Sequence, residues 1–103
     1  MPEISDPFKI LKHDRTLTDK ELVRAIRFMI IAEYEAVQLY TQVAESIDNE
    51  IAKAVLLEIA DEEKVHAGEF LRLLTELSPD EPKFYKEGYG EAEKTIKKIK
   101  SRK

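Results

Sequence analysis

Three side chains have the types and the spacing of ligands for a divalent metal ion. Glu63 and His66 form a Glu-x-x-His motif, and residues three apart share one face of a helix. Glu33 is the third residue of the set. Carboxylate and imidazole ligands suit Fe(II), Mn(II) and Zn(II), so the residue types alone do not choose the metal. The chain has no cysteine, which excludes disulfides, thiolate zinc sites, iron–sulfur clusters and a cysteine nucleophile.

Two long helices are predicted to carry these residues, because the middle of the sequence lacks proline and contains one glycine. Thr18 and Glu21 form a capping box, so the first helix should run from about Asp19 to Ser46. Asn49 suits an N-cap, and the second helix should span about residues 49–77.

A third, weaker helix is predicted over residues 80–99. Ser78 would cap it with Pro79 at its first position, and Gly88 and Gly90 would interrupt it.

The expected fold is all-α: an antiparallel two-helix hairpin plus a short C-terminal helix, dimerising into a four-helix bundle. The chain divides into an N-terminal arm (1–17), the helical hairpin (18–78), and the C-terminal helix with its basic tail (79–103).

Each long helix carries a row of residues spaced alternately by three and four, the pattern of a bundle seam. The row on the first helix is Val23, Ile26, Ile30, Glu33, Val37, Tyr40, Ala44 and Ile47. The row on the second helix is Ala52, Leu56, Ile59, Glu63, His66, Phe70, Leu73 and Leu77. Apart from the three candidate ligands, every member of both rows is apolar or aromatic.

Antiparallel pairing should bring the three candidate ligands to the same height. Glu33 lies about 15 residues before the turn, and Glu63 and His66 lie about 14 and 17 after it, so the midpoint between Glu63 and His66 lies within roughly 2 Å of the height of Glu33 at 1.5 Å per residue. We therefore expect these side chains to converge.

The first helix has a second apolar row, which predicts self-association. This row is Leu22, Ala25, Met29, Ala32, Ala36, Leu39 and Val43. A lone hairpin would leave it in water and would bury too little surface to fold stably. Di-iron carboxylate bundles use one Glu from each of two helices and Glu-x-x-His from each of the other two. One chain supplies half of that set, and two copies would supply four carboxylates and two imidazoles, which balance two divalent cations.

Several residues have a structural explanation beside the functional one. The three candidate ligands could instead form a buried polar network without metal. Glu35, Glu62 and Glu69 lie off the two rows. They belong either to a solvated helix face or to an outer site that passes cations to the inner one. Tyr40 suits either a hydrogen-bond donor to a metal ligand or an amphipathic core residue.

The overall charge and hydropathy exclude two classes of partner. Lys and Arg number 17 against 21 Asp and Glu, a net charge of −4, which gives no reason to bind nucleic acid. No apolar run approaches the ~18 residues that cross a bilayer, and residues 1–17 lack the features of a signal peptide. We expect a soluble, cytoplasmic protein without a membrane partner.

The sequence resembles the encapsulated ferritins, short ferritin-like chains that look like half of a ferritin or rubrerythrin bundle. The similarity covers about residues 20–90. It is carried by Glu33-Tyr34-Glu35-Ala36-Val37 with Tyr40, and by Asp61-Glu62-Glu63-Lys64-Val65-His66-Ala67.

The resemblance implies iron as the metal and a set of roles. Glu33, Glu63 and His66 would bind two irons per dimer interface together with their copies, Tyr40 would support the ligands, and Glu35 would lie where ions reach the site. Ala32 stands where members often carry a further Glu. The resemblance also implies a decamer of dimers in a ring, and an encapsulin shell around it as partner and location. No shell-targeting peptide is recognisable in residues 99–103.

The function expected from the site and the resemblance is that of a ferroxidase, an oxidoreductase that oxidises Fe(II) to Fe(III) with O2 for iron storage or detoxification. The alternatives are a rubrerythrin-like peroxidase, a protein that binds metal without redox turnover, and a metal-free helical interaction module. Manganese or zinc would fit the same ligands.

Overall fold

The computed structural model describes residues 15–102. It contains three α-helices: α1 (Asp19–Glu45), α2 (Glu50–Leu77) and α3 (Glu81–Lys100). Residues 15–102 include no β-strand, so the all-α prediction is confirmed. The helix bounds agree with the predicted ones to within one residue at each end. Most of the predicted N-terminal arm lies outside the described residues.

The two helices of the hairpin begin at the predicted caps. The Thr18 hydroxyl accepts a hydrogen bond from the Glu21 amide at 3.2 Å, and the Glu21 carboxylate accepts one from the Thr18 amide at 2.9 Å, which completes the capping box. At the start of α2, the Asn49 side chain accepts from the amide of Ala52 at 3.0 Å. A four-residue turn joins α1 to α2, which pack antiparallel.

The core between α1 and α2 is small. Ile26, Ile30 and Leu74 form its buried cluster, with Phe70 packed against them. On α2, the fully buried positions are Ala60, Ala67 and Leu74, a repeat of seven residues.

Five members of the predicted row on α2 are half-buried as expected: Ala52, Leu56, Ile59, Glu63 and Phe70. In the C-terminal half of the helix the buried positions are Ala67 and Leu74, so this half is rotated by about one residue from the prediction. Leu73 and Leu77 are 41% and 36% exposed, and the His66 side chain is 49% exposed. Alanines allow closer helix approach than longer side chains do, so α2 turns Ala60 and Ala67 toward α1. The apolar pattern of the sequence does not show which of two neighbouring faces of α2 allows the closest approach to α1.

The capping of α3 differs from the prediction. Asp80 is the N-cap residue and Pro82 lies in the first turn, whereas Ser78 caps the end of α2 through its amide, which donates to the Leu74 carbonyl at 2.8 Å. The predicted interruption is also wrong, because α3 continues through Gly88 and Gly90.

No residue of α3 is buried, and the helix packs little against the hairpin. The radius of gyration is 17.9 Å, whereas a compact domain of this length measures about 13 Å. The chain by itself is an open structure with much apolar surface in contact with water.

Candidate metal centre

The structure brings the three candidate ligands together. Glu33 extends from α1, and Glu63 and His66 extend from α2. His66 Nδ1 lies 3.7 Å from Glu33 Oε2 and 3.6 Å from Glu63 Oε2. One ligand atom from each residue can be chosen so that all three lie within 4.8 Å of one another. Ligand bonds of about 2.0–2.2 Å place neighbouring ligand atoms about 3–4 Å apart around one ion, so these separations suit a shared cation.

The electrostatics of the cluster leave one oxygen without a partner. Glu33 Oε2 is buried and accepts no hydrogen bond from the described residues. The pKa of Glu33 is raised, chiefly because the Glu63 carboxyl lies within hydrogen-bonding reach, and secondarily because burial disfavours the charged form. Two carboxylates held side by side lower their energy by sharing a proton or by binding a cation. The donor set and the unpartnered oxygen therefore both fit a metal ion.

The cluster lies at the rim of the α1–α2 contact and is open on one side. The side chains of Glu33 and Glu63 are 16% and 19% exposed, whereas that of His66 is 49% exposed. The rotation of α2 explains this position, since Ala67 is buried at the centre of the contact and its neighbour His66 is turned to the edge. Three ligands from one chain leave room for further ligands on the open side.

Two residues predicted to assist the site are not part of the cluster. Glu35 is exposed, and its position two residues after Glu33 turns it about 200° around α1. Tyr40 is half-buried, and the hydrogen bonds found within residues 15–102 include none that joins its hydroxyl to the cluster. The roles proposed for both residues stay predictions.

Gly68 lies in α2 two residues after His66, and a Cβ added there would have no atom within 4 Å.

A polar network that sequence reasoning missed joins α3 to α1. Arg27 donates to Glu81 at 2.5 Å, and the Tyr85 hydroxyl also donates to Glu81. The bond from Arg27 is the largest cause that lowers the pKa of Glu81 to about 2. The bond to Glu81 raises the pKa of Tyr85. The spacing of Glu81 and Tyr85 on one helix face was the only available signal, and nothing in the sequence indicated Arg27 as their partner.

Comparison with known proteins identifies the class. The family model described as Rubrerythrin matches residues 24–103. The chain belongs to the rubrerythrin family of ferritin-like proteins.

The more particular similarity is to encapsulated ferritins, as the sequence suggested. A crystal structure of the encapsulated ferritin domain from Pyrococcus furiosus superimposes with a TM-score of 0.78 and 37% identity, over 84% of this chain and 88% of that one.

Two further relatives are larger proteins. The chain is 39% identical over 82 residues to a ferritin-like-encapsulin shell fusion protein of Pyrococcus furiosus, covering 80% of this chain and 24% of the relative. It is 42% identical over 87 residues to the encapsulin nanocompartment cargo protein EncC of Myxococcus xanthus, covering 84% of this chain and 65% of the relative. The chain thus spans less than two thirds of the length of each.

In the region described, no helix is both long and apolar enough to cross a membrane.

Proposed function

We propose that this protein is a ferroxidase that binds Fe(II) between two copies of the chain and oxidises it to Fe(III) with O2. The observation that carries the proposal is the cluster of Glu33, Glu63 and His66, whose ligand atoms lie within 4.8 Å of one another at an open rim. Membership of the rubrerythrin family supports iron as the metal. Manganese and zinc suit the same ligands and are competitors in the test below.

The second copy would complete the ligand set. Exposed apolar side chains lie on the same side of the hairpin as the cluster, one turn from Glu33 at Met29 and two turns from His66 at Leu73, which are 40% and 41% exposed. Val55, 51% exposed, extends this face along α2. Pairing two such faces by twofold symmetry would bury them and would join two half-sets of ligands.

The residues of the chain would perform three tasks. The carboxylates of Glu33 and Glu63 would hold Fe(II) as the substrate, and their four negative charges per dimer would balance two ferrous ions. His66 would add a neutral nitrogen ligand from each copy. The apolar face around the cluster would limit the access of water. Each Fe(II) loses one electron, and O2 accepts the electrons. We also propose that Glu35 attracts ions to the site and that Tyr40 supports a ligand through a hydrogen bond.

The assembly proposed is a ring-shaped decamer of the dimers, taken from the resemblance, inside an encapsulin shell. The relatives support the shell, since one is a fusion with an encapsulin shell and another an encapsulin cargo protein. An encapsulin shell protein is therefore the partner that we propose beside the chain itself.

The proposal is tested by anaerobic titration with Fe(II) followed by native mass spectrometry. We expect two irons per pair of chains, and ferric absorbance once oxygen is added. Replacing Glu63 by Ala should weaken iron binding by at least about a hundredfold, since changes even to groups that merely support metal ligands cost 10–100-fold. Glu58→Ala is the matched control, because it removes an equal charge from an exposed position of the same helix. Iron binding that survives Glu63→Ala unchanged would overturn the ligand assignment.

A rubrerythrin-like peroxidase is the second candidate, favoured by the family model that matches the chain. It would use the same ligands with hydrogen peroxide as the oxidant and a separate electron donor. Stopped-flow mixing of the ferrous protein with O2 and, separately, with peroxide discriminates the two. Faster oxidation by O2 supports the ferroxidase, and faster oxidation by peroxide supports the peroxidase. A metal-free interaction module predicts no iron uptake at all.

A further inference from the structure

The described part of the chain contains one sulfur atom, which belongs to Met29 on α1. The sequence has two methionines, Met1 and Met29, and neither cysteine nor tryptophan. The Met29 side chain is 40% exposed and takes no part in the core between α1 and α2. Because thioethers are common targets of oxidation, Met29 is the side chain of residues 15–102 that hydrogen peroxide oxidises most readily.

Met29 lies one helical turn before Glu33, on the same face of α1. Residues four apart on a helix have their Cβ atoms about 5–6 Å apart. The buried Oε2 atom of Glu33 has no hydrogen-bond partner among the described residues, and the cluster is open at its rim, where the His66 side chain is 49% exposed. In the proposed function, the face that carries Met29 also pairs the two copies. The thioether would therefore be enclosed together with the metal-binding residues.

Oxidation of iron at a site that holds two ions supplies two electrons to O2. An O2 molecule that accepts two electrons and two protons becomes hydrogen peroxide. Peroxide formed between two paired copies would meet the neighbouring thioether before it reached the solvent. The proposed function leaves both the fate of this peroxide and the role of Met29 unassigned.

We propose that this peroxide oxidises Met29 to methionine sulfoxide, so that Met29 is a modification site coupled to the turnover of iron. The sulfur lone pair attacks one peroxide oxygen, which forms an S–O bond and breaks the O–O bond. The sulfur loses two electrons, and the second oxygen leaves as water with both protons of the peroxide. The inference rests on the proposed function, because the reaction of iron with O2 supplies the peroxide.

The first test compares two equally exposed methionines in one protein. Val43 is 39% exposed and belongs to the same apolar row of α1 as Met29, but it lies ten residues, about 15 Å, from Glu33. The Val43→Met variant is loaded with Fe(II) without oxygen and then mixed with O2, with catalase present to destroy any peroxide that leaves the protein. We expect peptide mass spectrometry to show one added oxygen atom at Met29 and none at position 43.

The outcomes distinguish this inference from the proposed function. Ferric absorbance without oxidation of Met29 would overturn the inference and leave the proposed function intact, as would equal oxidation at the two positions. Absence of ferric absorbance would overturn both. Hydrogen peroxide added to the metal-free variant should oxidise both methionines at similar rates, because their exposures are alike. A preference for Met29 without iron would also overturn the inference, since the metal cluster would then not direct the oxidation.

The second test measures the effect of the sulfoxide on the pairing of two copies. Methionine sulfoxide is polar, and its oxygen would be buried on an apolar face without a hydrogen-bond donor. We expect the metal-free protein, once oxidised by hydrogen peroxide, to have a dimer dissociation constant at least about tenfold higher by sedimentation. Met29→Leu treated in the same way is the matched control, because it has no sulfur at this position, and its dissociation constant should not change. An unchanged constant for the oxidised parent protein would overturn a regulatory role for the modification.

Discussion

At the Glu33 carboxylate, the proposed metal binding would also affect the stability of the protein. Its Oε2 atom is buried without a hydrogen-bond donor, beside a second carboxyl group from Glu63. Such an arrangement weakens the metal-free protein, because a buried acceptor loses its hydrogen bonds with water. A cation in the site would offset this cost. Selection for metal binding therefore favours Glu at position 33, whereas selection for the stability of the metal-free chain favours a different residue there.

The first prediction separates the two effects. Glu33→Gln keeps the shape of the side chain, removes one negative charge and supplies an amide that can donate to Glu63. We expect the metal-free variant to unfold at a temperature at least as high as that of the parent protein, while its affinity for Fe(II) falls by at least about a hundredfold. Thermal unfolding in the presence of a chelator and an anaerobic iron titration measure the two quantities. A large loss of stability without metal would show that Glu33 has a structural role.

The second prediction concerns pH and two carboxylates remote from the cluster. Hydrogen bonds from Arg15 at 2.7 Å lower the pKa of Glu21 to about 2, and the bond from Arg27 lowers that of Glu81 equally. Because both values lie below the ordinary value of about 4.3 for an unfolded chain, their contribution to stability is complete above about pH 5 and is lost as the pH falls toward 2.

Urea unfolding between pH 6 and pH 2 tests this dependence. The free energy of unfolding should decrease with acidification in the parent protein, and less steeply in Glu21→Gln and in Glu81→Gln, because each variant lacks one of the two groups. Glu91→Gln, which changes an exposed carboxylate of α3, serves as the control and should retain the full slope. Equal slopes in all four proteins would contradict the assignment.

Among the elements, the parts that sequence reasoning predicted well are those set by local chemistry. The capping box of Thr18 and Glu21, the Asn49 cap and the absence of internal proline fixed α1 and α2 almost to the residue. The height of Glu33 relative to Glu63 also followed, because the rise per residue is constant. These features depend on neighbours in the chain or on counting from one turn.

The features that could not be predicted depend on contacts between elements. The rotation of α2 follows from how closely Ala60 and Ala67 approach α1, which the apolar pattern does not contain. The partner of Glu81 lies on another helix, at Arg27.

The third prediction tests the close approach of α1 and α2. Ala67 is 4% exposed, so Ala67→Leu must separate the helices or distort side chains, and should lower the free energy of unfolding by about 1–3 kcal/mol. It should also weaken Fe(II) binding, because Glu33 and His66 would move apart. Ala54→Leu, at an exposed position of the same helix, is the matched control and should change neither quantity appreciably. Chemical denaturation and iron titration provide the measurements.

The whole molecule is open, with a radius of gyration of 17.9 Å and no buried residue in α3. A chain of this kind buries too little surface to be stable alone, and association with other copies is the natural source of the missing burial. The folding of the chain and its assembly are then one equilibrium, and the stability of the protein depends on its concentration.

The fourth prediction is that metal and protein concentration both raise the unfolding temperature. A ligand present at a hundred times its dissociation constant stabilises the folded state by about 2.7 kcal/mol. Fe(II) under anaerobic conditions should therefore raise the melting temperature of the parent protein, and Zn(II) should do so in air. The Glu63→Ala variant should respond to neither ion. A tenfold dilution of the metal-free protein should lower the melting temperature, whereas an unchanged value would indicate a chain that is stable as a monomer.

The position of His66 at the rim has a consequence for the life of a newly synthesised chain. Under the proposed function a solitary molecule would have only half of a working centre, so the rate of iron oxidation in dilute solution would rise with the square of the amount of protein. Newly synthesised monomers would not oxidise iron, and ferric iron would form only where chains had already associated.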